Sequence, residues 1–194
     1  MRNAVAVVVT TGALGAGLLL GVAPAQAGDV GGRLPTPPSF GISGNYHAVR
    51  GIQQCTSLRK YHPTLIAGCT ENSFKVKGRI SVTTVAVKAK NAAAARKLGR
   101  SKSSYLWSNL TLTGNGPVKV HGVPGDVWKA SGAGQFGDPS CTSAPSAAGA
   151  VAINGNRVVQ SFIMGCNRQL NWASTATNAA KVVSTYAQPS RFPL

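Results

Sequence analysis

Acidic residues are nearly absent from this chain of 194 residues. Four Asp and Glu stand against 20 Lys and Arg, giving a formal net charge of +16. The acids are Asp29, Glu71, Asp126 and Asp138. A two-carboxylate glycosidase would have to converge Glu71 with Asp126 or Asp138. A Val-Pro-Gly-Asp turn accounts for Asp126 and an Asp-Pro loop for Asp138, so that pair has little behind it. A P-loop and a dinucleotide fingerprint are both missing. So is the Gly-x-Ser-x-Gly elbow of a serine hydrolase; Gly41-Ile42-Ser43-Gly44 has the wrong form. His47, His62 and His121 never fall three to five apart, and the cysteines make no Cys-x-x-Cys. No metal site and no cofactor is therefore expected.

What is present begins with an export signal. Arg2 supplies a positive start, an apolar run extends from Ala4 to Val22, and Ala25-Gln26-Ala27 gives the small-x-small pattern of a cleavage site. Cleavage near Ala27 is expected, with an uncleaved membrane anchor as the alternative. No cysteine lies near the cut to carry a lipid, and no later run approaches a membrane span. Without Arg2 the mature chain keeps 19 bases and 4 acids, or +15. The full chain is 43% apolar, enough to build one packed domain.

Cys55, Cys69, Cys141 and Cys166 all follow the signal. An even number outside the cytosol implies disulfides. Three pairings exist, and the two short local loops favour Cys55–Cys69 with Cys141–Cys166.

Residues 28–43 read as a flexible linker, because Gly31, Gly32, Pro35, Pro37 and Pro38 oppose regular structure. A single domain is expected over residues 44–194. Val49, Ile52, Cys55 and Leu58 recur at helical spacing, predicting a helix within Tyr46–Tyr61 that ends before Pro63. Residues Ser73–Lys90 alternate with period two, and the phase flips near Thr83-Thr84. One long bulged strand is predicted, with its bases on the solvent face. Asn91 can cap a helix that starts in Ala92–Leu98. Gly114–Pro117 reads as a turn, Val118–His121 and Val127–Ala130 as strands, and Gly132–Ala147 as a loop. Asn154-Gly155-Asn156 predicts a hairpin joining Ala150–Ile153 to Arg157–Met164. Trp172, Ala176, Ala179, Ala180, Val183 and Tyr186 form the apolar stripe of a closing helix. The fold class is α+β: an antiparallel sheet with helices on one face, held by two disulfides.

The layout resembles small exported α+β domains of actinobacterial cell-envelope proteins. These include PsbP/Mog1-like secreted and lipoprotein homologues and the sensor domains of receptor kinases. The resemblance rests on the Ala-rich signal, the strand and Ala-rich helix at 79–98, the turn at 123–126, the Asn-Gly hairpin, Cys166 directly after it and the closing helix. It implies a non-enzymatic binding or sensing module and transfers no functional residue. The lipobox of the lipoprotein members is absent.

Between Asn72 and Gly125 lie ten bases and no acid. Lys75, Lys77, Arg79, Lys88 and Lys90 would form a ladder on the strand, with Arg96, Lys97 and Arg100 following on the helix. Such a face attracts polyanions: wall polymer, anionic lipid or nucleic acid. A solvated face with no partner is the bland alternative. Aromatic side chains are sparse in the ladder, so a shape-insensitive contact is expected over base reading. The expectation is a secreted, basic, monomeric, non-catalytic protein of the envelope or extracellular space. The competing one is a secreted ribonuclease, with His47, His62 and His121 as acid and base and Lys119 or Lys88 on the phosphate.

Overall fold

A computed structural model describes residues 33–50, 53–76, 80–100, 113–117, 126–133, 145–166 and 170–194. The centre is an antiparallel sheet of seven strands. The strands are β1 (Tyr46–Ala48), β2 (Ile66–Val76), β3 (Ile80–Ala89), β4 (Thr113–Pro117), β5 (Asp126–Ala133), β6 (Pro145–Asn154) and β7 (Arg157–Cys166). They lie in the order β1-β2-β3-β7-β6-β5-β4. Three helices pack on them: α1 (Gln54–Tyr61), α2 (Ala92–Arg100) and α3 (Trp172–Tyr186).

The expected α+β class holds, but the helices occupy both faces of the sheet. On one face, Cys55, Leu58, Ala94, Ala95 and Leu98 of α1 and α2 meet Val85, Val87, Val151, Ile153 and Val158. On the other, Ala179, Ala180 and Val183 of α3 meet Val82, Ala86, Ala150, Ala152 and Val159. Small residues on both sides bring α3 close to the sheet. Gly99 does the same for α2, since a Cβ there would stand 2.6 Å from Ile153 Cδ1.

This coverage corrects the reading of Ser73–Lys90. The segment is two strands, not one: Val76 pairs with Ile80, and the pairing runs on to Cys69 with Val87 and Gly68 with Lys88. The phase flip is no bulge, because β3 pairs without a break from Ser81 to Lys88 with β7. Thr84, Val85, Ala86 and Val87 are all buried since β3 is covered on both sides, which erases alternation.

The linker expectation also fails where the chain is described. Leu34, Pro35, Pro37, Phe40 and Ile42 are buried, and Pro37–Phe40 form a 3-10 turn with Pro at its start. Proline suits that position because its fixed φ costs the turn nothing. Gly41 ends it at φ 75. Burying Phe40 stabilises the fold by roughly 1.5–3 kcal/mol.

The helix predicted within Tyr46–Tyr61 survives only as α1. Tyr46–Ala48 instead form edge strand β1, where Tyr46 meets Val76 and stacks edge-on to Phe74 at 5.4 Å. Gly114–Pro117 is part of strand β4, an edge position that tolerates Gly and Pro. The loop expected over Gly132–Ala147 is shorter, because β5 runs to Ala133 and β6 starts at Pro145. Val118–His121 and the turn at 123–125 lie outside the described residues. Other local signals hold. Asn91 Oδ1 accepts from Ala94 N at 2.8 Å, Asn171 Oδ1 from Ser174 N at 3.1 Å, and Gly155 turns at φ 61. The stripe Ala176, Ala179, Ala180, Val183 and Tyr186 is buried.

The Cys55–Cys69 disulfide ties α1 to β2, with Cα atoms 5.7 Å apart. Cys141, half of the other expected bridge, lies outside the described residues; Cys166 carries no free thiol.

Candidate cationic surface

The ladder of bases divides between the two ends of the sheet. Lys75 pairs with Ser81 on one side and His47 on the other. Lys88 lies seven residues along β3 from Ser81, roughly 24 Å away and on the opposite face. Lys75 and Lys88 thus cannot share a ligand surface as a ladder would require. Lys77 and Arg79 and the Arg100 side chain lie outside the described residues.

A different set of cations comes together where β3 ends. Lys88 stands directly opposite Arg157. The Gly155 turn brings Arg157 there, and the Ala89 amide extends the pairing by donating to Asn156 O at 2.8 Å. Lys90 follows, exposed, its amide bonded to Leu65 O. The last turn of α1 brings Arg59 and Lys60 to the same end, and Arg59 Nη2 donates to Cys69 O at 3.3 Å. Arg157 also lies over the Phe192 ring, 6.0 Å from its centroid. Arg96 and Lys97 are exposed on α2, on the other face from Lys88. Arg157, Arg59 and Lys60 were absent from the sequence-based site. The Asn-Gly hairpin signal places Arg157 at a strand start, but only the register sets it against Lys88.

The residues considered for catalysis do not converge. His47 lies across from Lys75, and His62 caps the C-terminal end of α1 beside Leu65. Between these positions β2 runs roughly 30 Å. His121 lies outside the described residues. Glu71 Oε2 accepts from the Cys55 amide at 3.0 Å, which gives this acid a structural task. Asp126, already engaged in a contact, starts β5, four strands from β2. Among the described residues no three His, Cys, Asp or Glu side chains gather as metal ligands would, and no helix is long and apolar enough to cross a membrane.

A recess of about 290 Å³ opens between β5 and α3, lined by Lys129, Ala173, Ser174, Thr177 and Asn178. Lys129 Nζ donates to Thr177 Oγ1 there at 2.8 Å.

No family model and no curated protein matches the chain. Among solved structures it is similar to the extracellular domain of PknH from Mycobacterium tuberculosis. The two share 14% identity with a TM-score of 0.44, covering 77% of this chain and 88% of that one. The architecture stands on the strand order and the two cores.

Proposed function

We propose that this is an exported, non-catalytic module that holds an anionic partner at the end of the sheet where Lys88 faces Arg157. The observation that supports it is a like-charge pair. Like charges directly opposite each other on neighbouring strands destabilise a sheet. Among the described residues, neither has an acidic partner. An anion placed between them reverses the sign of that interaction and gains from both. Lys90, Lys60 and Arg59 extend the attraction over the same end. The Cys55–Cys69 disulfide fits an oxidising compartment, in keeping with the export signal.

The test is elution from heparin in a salt gradient. Replacing Lys88 and Arg157 together by Ala moves elution to lower salt, whereas Lys75→Ala alone leaves it nearly in place. A shift from Lys75→Ala about half that of the double change, in proportion to the charges removed, would leave only a diffuse net-charge effect and remove the site. Turnover of RNA that is lost in His47→Ala would replace the reading with the ribonuclease one.

A further inference from the structure

We infer that the anionic partner is a lipid bilayer surface, met end-on, with Tyr61 and Leu194 as the apolar contacts between the cations. The inference rests on the reading above and narrows it. Tyr61 and Leu194 are 65% and 47% exposed, the exposed large apolar side chains among the described residues. Both belong to the cationic end. Tyr61 is the last residue of α1, five before β2 begins at Ile66. A Cβ added at Gly68 would meet Leu194 Cδ1 at 3.5 Å and Lys88 Cβ at 3.7 Å. Leu194 therefore lies beside Lys88, on the face of the sheet opposite α1. An aromatic ring and an aliphatic side chain thus flank the sheet end from its two sides.

Charge complementarity decides the occupant. Lys60, Lys88, Lys90 and Arg157 suit a layer of headgroup phosphates, since basic residues near an anionic bilayer gain by proximity to its surface potential. Tyrosine favours the level of the headgroups, where its ring is apolar and its hydroxyl wet. A single-stranded nucleic acid would instead need open ring faces for its bases. Lys60 Nζ stands 5.7 Å from the centroid of the Tyr61 ring, over that ring, and Leu194 has no plane to stack on.

The experiment is co-sedimentation with phosphatidylcholine vesicles, with and without phosphatidylglycerol, using the protein recovered from the medium of an expressing host. Binding is expected only when phosphatidylglycerol is present. Lys60→Ala, Lys88→Ala and Lys90→Ala combined should lower partitioning by roughly a hundredfold, about fivefold per residue. Tyr61→Ser should lower it severalfold and Tyr61→Trp restore it, with thermal melts showing that each variant folds. Equal binding to neutral vesicles, or anionic binding that none of these variants weakens, overturns the inference. Retention on heparin or RNA without any vesicle binding also overturns it, yet leaves the proposed cationic site standing.

Discussion

The carboxylate of Glu71 on β2 caps the start of α1 by accepting the amide proton of Cys55, sixteen residues before it, at 3.0 Å. The N-cap residue Gln53 makes no side-chain cap bond of its own, and the first turn of α1 holds no acid. The sheet therefore supplies the negative charge that a helix N-terminus favours. Glu71→Ala should cost about 1–2 kcal/mol of stability, read as a lower urea midpoint. Glu71→Gln, which keeps the acceptor, should retain most of it. A Glu71→Ala protein as stable as the parent would show the cap to be idle.

The disulfide beside that cap closes a loop between residues 14 apart. Replacing Cys55 and Cys69 together by Ser should lower unfolding free energy by about 3 kcal/mol, checked by urea titration. Reducing agent should bring the parent protein down at least as far, since it also opens the bridge that Cys166 makes.

Lys88→Glu should act in opposite directions on folding and on binding. Setting an acid opposite Arg157 turns repulsion into attraction, for a gain of roughly 0.2–1 kcal/mol in denaturant. The same protein should leave heparin at lower salt. A loss of both stability and retention would mean that Lys88 works by packing and not by charge.

Asn72, Thr84 and Ser161 sit side by side across β2, β3 and β7. Asn72 Oδ1, Thr84 Oγ1 and Ser161 Oγ are buried with no hydrogen-bond partner. A hydroxyl in that state costs about 1–3 kcal/mol. Thr84→Val exchanges it for a methyl group of similar size and should raise the melting temperature. A lower melting temperature would show that the hydroxyl is satisfied in solution.

The parts of the fold legible in the sequence are those set by near neighbours. Asn91 and Asn171 cap helices through residues three further on, and Gly155 turns a hairpin whose strands it joins directly. The misread parts depend on distant segments. Val82 and Val85 belong to two different cores, one under α3 and one under α1 and α2, and nothing inside 73–90 reveals that. A phase change that looked like a bulge was the mark of a strand covered twice. The proposed cationic site fared likewise. Counting bases placed Lys88 and Lys90 in it, but Arg157 enters through pairing with a strand some 70 positions later, and Lys75 leaves because a chain reversal carries it to the far end.

The burial of Leu34, Phe40 and Ile42 moves the start of the folded unit upstream of Ser43. Recombinant pieces trimmed there would strip three apolar plugs from the α3 side and open that core to solvent. Only a few residues then separate the expected signal cleavage point from the first plug. An affinity tag or fusion partner is therefore better joined ahead of Leu34 than at Ser43, where it would take the place of those plugs.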